Sequence, residues 1–256
     1  MHWLLLRGLA REQRHWGSFV DILARTLPGD TVHRLDLPGT GTEHLRDSPL
    51  TVGGIADDVR ARWHSLRAKN DGPWGLLGIS LGGMVALSWC GAHGDDFERL
   101  VVANSSVGDL SPPWHRMSVG VFGSVLRSLG GGGAVERERR VLAMTTRLCT
   151  DVETRAREWA TYHDDRPMRR ANVARQIFAA SRFRSPPTLN TPLLVLAGAR
   201  DGLASPSCSR AIAKRYVAPL EMHPGAGHDL STDASSWIAE RVRDWVAVEA
   251  KISDRD

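Results

Sequence analysis

Six short apolar runs, at residues 3–6, 31–35, 74–77, 100–103, 193–197 and 220–223, recur along the chain with helix-patterned segments between them. Runs this short, rich in Leu, Val and Trp, read as strands buried on both faces. The intervening segments carry apolar residues at helical spacing: Ile55, Val59, Trp63 and Leu66 behind a cap at Thr51, and Trp237, Val242, Trp245 and Val246 near the end. Strand then helix, repeated, requires a mostly parallel sheet, because parallel neighbours are joined only by crossovers that pack on its faces. The expected fold class is therefore α/β with helices on both faces. In such open sheets ligands collect beyond the carboxyl ends of the strands.

The alternation fails once, between Asn104 and Thr191, where helical and loop patterns replace strands. The segment is too long to be a loop and is bracketed by Leu110-Ser111-Pro112-Pro113-Trp114 and Ser185-Pro186-Pro187. Residues 105–190 are read as a helical cap inserted into a single domain, 1–256, above the strand ends. The glycines at 130–133 are read as a flexible connection in that cap. No strand precedes them and no Lys-Ser or Lys-Thr follows, so they do not make a phosphate loop.

With 42% hydrophobic residues the chain can fill one sizeable core. The run at 3–6, broken at once by Arg7, is too short for a signal segment, and no stretch approaches membrane-spanning length. The expectation is a cytoplasmic protein with no membrane span, taken as a monomer by default. Cys90, Cys149 and Cys208 form no C-x-x-C pair and read as free thiols. The net charge of +4 is carried almost wholly by arginine, with Lys69, Lys214 and Lys251 the only lysines. No zinc-finger, helix-turn-helix or RNA-binding signature accompanies it, so nucleic acid is not expected.

Chemistry is carried by three strand ends. Gly78-Ile79-Ser80-Leu81-Gly82 stands between the third run and a helical segment, a turn that lifts a serine clear of the sheet. A serine hydroxyl needs a base, and the base an orienting carboxylate. The fifth run is followed by Asp201 in Gly198-Ala199-Arg200-Asp201-Gly202, and the sixth by His228 in Gly225-Ala226-Gly227-His228. Each of the three alone reads as a cap or turn residue. Together, in the order Ser, Asp, His at one sheet edge, they read as nucleophile, orienting acid and general base. His223 and Asp109 are weaker rivals for base and acid, and the pair Asp57, Asp58 reads as a solvated helix face. Leu81, after the nucleophile, and Leu9, after the first run, are the expected amide donors to an oxyanion. The histidines show no H-E-x-x-H pattern, so neither metal nor organic cofactor is expected.

Arg7-Gly8-Leu9, Asp36-Leu37-Pro38-Gly39-Thr40-Gly41, Gly78-Ile79-Ser80-Leu81-Gly82, Asp201 and Gly227-His228 together resemble the α/β-hydrolase superfamily over nearly the whole chain. The resemblance implies a sheet with two strands on one side of the nucleophile's strand and three on the other. Arg7 stands where members often have histidine, which places a cation near the pocket mouth, and Thr40 where they often have histidine or phenylalanine. Asn104-Ser105-Ser106, Trp114 and the arginine-rich cap are similar to the small carboxylesterases that cleave the methyl ester of pimeloyl-carrier protein. That likeness implies a carboxylic ester, small or carried on an acyl-carrier protein, as substrate. It makes Arg137, Arg139, Arg140, Arg147, Arg155 and Arg157 candidate carrier contacts, although the same pattern fits arginines on exposed amphipathic helices. Trp16, Trp114, Met117, Phe178 and Phe183 are candidates to line the acyl pocket. The same scaffold also hosts non-catalytic ligand receptors, lactonases, perhydrolases and C–C hydrolases.

Overall fold

In the computed structural model, which describes residues 1–117 and 133–253, the six runs form one parallel sheet. Its strands are β1 (His2–Leu6), β2 (Thr31–Arg34), β3 (Trp74–Ile79), β4 (Arg99–Ala103), β5 (Leu193–Gly198) and β6 (Leu220–His223), in the order β2-β1-β3-β4-β5-β6. Two strands therefore flank β3 on one side and three on the other, as the motif resemblance implied. The register pairs Leu6 with Gly78, Ile79 with Ala103, and Gly198 with His223. The carboxyl ends of β1, β3, β4, β5 and β6 thus come out along one edge.

Side-chain alternation along the strands divides the core. Leu4, Leu6 and Leu76 face a cluster built with α2 (Val52–Arg67), α3 (Leu81–Ala92) and α8 (Pro206–Tyr216), through Ile55, Val59, Trp63, Val85 and Ile212. Trp3, Leu5, Leu77 and Ile79 face a second cluster completed by α1 (Phe19–Thr26) and α10 (Ser235–Ser253), through Phe19, Leu23, Ile238 and Val242. Both faces are covered, so strands such as β3 and β5 are buried throughout and carry no polar alternation. Helix α2 starts where its sequence asks: Thr51 Oγ1 accepts from the Gly54 amide at 3.1 Å. The short α9 (Leu230–Asp233) precedes α10.

Between β4 and β5 lie, among the described residues, α4 (Pro113–Arg116), α5 (Ala134–Thr145), α6 (Val152–Asp165) and α7 (Arg170–Arg182). Helices α5 and α6 pack on each other around a small cluster of Leu142, Ala156 and Trp159. Helix α7 is different: Ala179 and the following Phe183 join the main core, and its polar Asn172 and Gln176 are fully buried. Of the glycine tract at 130–133, Gly133 directly precedes α5 and the rest lies outside the described residues. No described helix is long and apolar enough to cross a membrane.

Candidate active site

Ser80 stands between the end of β3 and the start of α3 with φ 55° and ψ −118°, a conformation that L residues rarely adopt. The turn closes only because its neighbours lack side chains. A Cβ on Gly78 would run into Gly82 O, and one on Gly82 into Leu6 O. Backbone bonds hold it from both sides, with Ser80 N–H donating to Ala103 O at 2.9 Å and Met84 N–H to Ser80 O at 3.1 Å. Ser105 Oγ donates to the same Ser80 carbonyl at 2.8 Å.

The two downstream loops meet this turn. His228 Nε2 lies 3.0 Å from Ser80 Oγ, and His228 Nδ1 lies 2.7 Å from Asp201 Oδ2. The other Asp201 oxygen accepts from the amides of Leu203 and Ala204 at 2.8 and 2.9 Å, which fixes the carboxylate's rotation. His228 and Asp201 are buried, whereas Ser80 is partly exposed and faces the cavity. Burial works against a charged imidazole at His228, but the charge and hydrogen bond of Asp201 outweigh it and raise its pKa above the ordinary histidine value. The rivals are engaged elsewhere. His223 Nδ1 accepts from the amides of Gly225 and Ala226, and Asp109 accepts from the Ser185 amide and hydroxyl, pinning one end of the inserted segment to the other.

The loop after β1 presses against the serine, since a Cβ on Gly8 would lie 3.1 Å from Ser80 Cβ. Among the described residues the amides of Leu9 and Leu81 take no hydrogen-bond acceptor, so both are free to donate beside Ser80. Ala10, next to Leu9, has φ 54°, and its amide donates to Gln176 Oε1 at 3.2 Å while Gln176 Nε2 donates to Pro38 O at 3.3 Å. Arg11 completes the attachment with a 2.7 Å ion pair to the buried Glu138 of α5. Two inserted helices therefore grip the loop that carries Leu9.

Arg7 lines the cavity, where the sequence places a cation, but as a buried and paired one. Its guanidinium is no loose cation at a pocket mouth, because it is buried, lies over the Trp16 ring and donates to Asp229 at 2.7 and 3.2 Å and to Ser231. Burial opposes ionisation of Asp229, yet the Arg7 charge and hydrogen bonds hold its pKa at about 2. Asn104, at the end of β4 with φ 46°, went unrecognised as a site residue. Its amide nitrogen donates to Gly227 O and His228 O at 2.9 and 2.8 Å, and its oxygen accepts from Gly198 N–H at 2.9 Å. It staples the loop after β5 to the loop bearing His228, and only a left-handed Asn directly after a strand hinted at it.

A cavity of about 930 Å3 opens beside Ser80 and His228. Its wall includes the flexible Met84, Met117, Met144 and Met168 and the stiffer Val173 and Ile177, an apolar lining. Trp114 and Met117 line it as expected from sequence. Trp16 does not, since it is buried against Phe19 in the sheet's second cluster, nor does Phe183, which is buried in the first. Phe178 is half-exposed on α7 with Arg182 over its ring, away from the cavity. Choosing residues by aromatic type could not tell which helix face looks inward.

The six candidate carrier arginines are arranged mostly for internal contacts. Arg139 pairs with Glu153 at 2.8 Å and with Glu136, Arg140 with Glu136 at 3.1 Å, and Arg157 with Glu153 at 2.9 Å. Arg147 donates to the carbonyls of Ala143, Met144 and Thr146 at the end of α5, and Arg155 Nη1 lies against Gly17. Arg137 alone of the six lines the cavity. Among the described residues no cluster of three or more His, Cys, Asp or Glu side chains is disposed to hold a metal ion.

A model of the Hydrolase_4 family, described as serine aminopeptidase, S33, matches residues 4–235. No curated protein matches the chain. Among solved structures it is similar to a hydrolase from Pseudomonas aeruginosa, at 21% identity over 96% of this chain and 89% of that one, with a TM-score of 0.77. It is also similar to a thermophilic esterase from Thermogutta terrifontis, at 21% identity over 96% and 89%, TM-score 0.67. A third is RedJ, a thioesterase of the prodiginine pathway in Streptomyces coelicolor, at 18% identity over 95% and 84%, TM-score 0.64. These three likenesses establish a shared α/β-hydrolase fold.

Proposed function

The chain belongs to the Hydrolase_4 family (serine aminopeptidase, S33), and on that premise we propose that it is a serine hydrolase of carboxylic esters. The observation that carries the reading is the continuous chain of contacts from Ser80 Oγ through His228 to Asp201, at 3.0 and 2.7 Å. Asp201 accepts from His228 Nδ1–H, leaving the Nε2 lone pair to take the serine proton. Ser80 Oγ then adds to the acyl carbon, and the oxyanion receives the amides of Leu9 and Leu81. Collapse expels the alcohol, which takes its proton from His228 Nε2, and leaves an acyl-serine. A water deprotonated by the same nitrogen adds to that ester, and the second collapse returns the proton to Ser80 and frees the acid.

The cavity favours an ester over a peptide with a free amino terminus. An aminopeptidase needs a carboxylate to hold its substrate's ammonium, and the two carboxylates lining the cavity, Glu138 and Asp229, are already paired with Arg11 and Arg7. Residues 118–132 contain no acidic side chain either. The inserted helices act as the cap that shapes the acyl pocket.

A fluorophosphonate probe tests the reading directly, with labelling of the wild type and none of Ser80→Ala as the expected result. Unlabelled wild-type protein would identify a ligand receptor on a hydrolase scaffold. Turnover of p-nitrophenyl esters of rising chain length, beside a methyl ester borne on an acyl-carrier protein, then ranks small against carrier-bound substrates. A carrier requirement would appear as turnover of the carrier ester that falls with salt.

A further inference from the structure

The cavity wall is apolar over most of its surface and yet unbalanced in charge. Five arginines line it, Arg7, Arg11, Arg116, Arg137 and Arg170, against the two carboxylates Glu138 and Asp229. Arg7 and Arg11 are neutralised at 2.7 Å each, and Arg137 shares Glu138 at 4.0 Å. Arg170 stands exposed at the start of α7. Arg116, half-buried at the end of α4, has no carboxylate partner among the described residues. Asp109, whose charge reaches it, is engaged by Ser185.

What Arg116 does touch is uncharged. It donates to Ala180 O, which also accepts from the Phe183 amide, and at 3.0 Å to Ser181 O, both in the last turn of α7, and more distantly to Ser106 Oγ at 3.4 Å. These bonds suit a cation at a helix carboxyl end. They also fix the guanidinium while using one N–H on each terminal nitrogen, so a second N–H on each remains. The remaining two point apart, so each can donate singly to a ligand oxygen, with the full charge of the guanidinium behind it. Ser106 also lines the cavity and follows the strand beside Ser80's own, which puts the guanidinium near the carboxyl edge of the sheet. A half-buried cation held this way in an apolar cavity is under-compensated, and a ligand anion is what would complete it.

We propose that Arg116 anchors an anion subsite in this cavity, and that the preferred substrate is an ester whose acyl chain ends in a second, free carboxylate. The proposal rests on the ester-hydrolase reading for its chemistry, but binding tests it independently of turnover. In the Ser80→Ala protein, titration calorimetry compares a medium-chain dicarboxylic acid monoamide with the neutral amide of the same length, at low and high salt. The expected result is that the anionic ligand binds about tenfold or more tightly, the range of a charge-assisted bond. Arg116→Gln brings the ratio close to one, and Arg116→Lys, which keeps the charge but not the bonds that hold the guanidinium in place, leaves it in between. Equal affinities in the unsubstituted cavity, or a preference that survives Arg116→Gln, overturn the subsite. Should Arg116→Gln fail to fold, the wild-type ratio and Arg116→Lys still decide it. Failure of the hydrolase reading would appear separately, as absent fluorophosphonate labelling with the ligand ratio intact.

Discussion

At the carboxyl edge of the sheet, Ser80, Asp201 and His228 are held by buried backbone: a turn that two glycines allow to close, amides aimed at a carboxylate, and loops stapled by Asn104. Among the described residues the α5–α6 pair above has a small core of Leu142, Ala156 and Trp159, with Val135, Val152 and Tyr162 packed against it, and joins its outer surfaces through ion pairs such as Arg139–Glu153. Buried hydrogen bonds are expensive to lose, because each broken one strands a polar group away from water, whereas exposed ion pairs trade one set of solvated charges for another. The difference teaches where change is tolerated. On the proposed reading, reactivity would sit in the part that cannot shift, and selectivity in the part that can be rebuilt residue by residue.

Substitutions at the two regions should therefore separate widely. Ser80→Ala should lower kcat by about four to six orders of magnitude without lowering the melting temperature, as assays of p-nitrophenyl esters beside a thermal melt will read. A residual rate near wild type would remove the edge from the chemistry altogether. Asn104→Ala removes three buried hydrogen bonds and should cost about 3 kcal/mol in denaturant titration, together with a fall in kcat. Unchanged stability would show that the loops after β5 and β6 need no staple.

Acidification acts on the same edge. Since the pKa of His228 is raised, its neutral, proton-accepting form is lost on going down in pH sooner than for an ordinary histidine, and kcat should fall about tenfold per pH unit below a midpoint above 6.5. A profile flat from pH 5 to 8 would take His228 out of its role as base. Gln176→Leu is the substitution that crosses between regions. It should lower kcat by about tenfold with KM held, because it frees the loop beside the Leu9 donor while leaving the acyl wall in place. A change confined to KM would assign Gln176 to the pocket instead. At the small end, Arg139→Ala and Arg157→Ala should leave both turnover of p-nitrophenyl esters and the melting temperature unchanged within error. A clear loss of turnover in either would erase the distinction between the regions.

What could be read from the chain follows the same division. Each strand announces itself locally, because a short apolar run followed by a glycine-rich turn is a pattern contained within a few residues, and Ser80, Asp201 and His228 read as a site only through their shared place at the ends of three such runs. The pocket wall is not local. Trp16, Phe178 and Phe183 were chosen by type, but burial in either core cluster or on an outward helix face depends on packing that the linear order does not display. The partner of Arg7 is Asp229, far along the chain, so an apparently exposed cation could not be seen to be neutralised. Asn104 stands in a recognisable Asn-Ser-Ser run and Gln176 carries no signature, but neither shows its role, since an amide staple is defined only by the loops it joins.

The grip of Gln176 and Glu138 on residues 10 and 11 has a mechanical consequence. The loop beneath them bears the Leu9 amide, so lifting α5 and α7 to admit a bulky acyl group would carry off one of the two proposed oxyanion donors. Opening and bond cleavage then exclude each other, as in an interlock whose door must be shut before the circuit closes. A substrate that fits must let the helices reseat, and one that props them apart can dock without being cleaved.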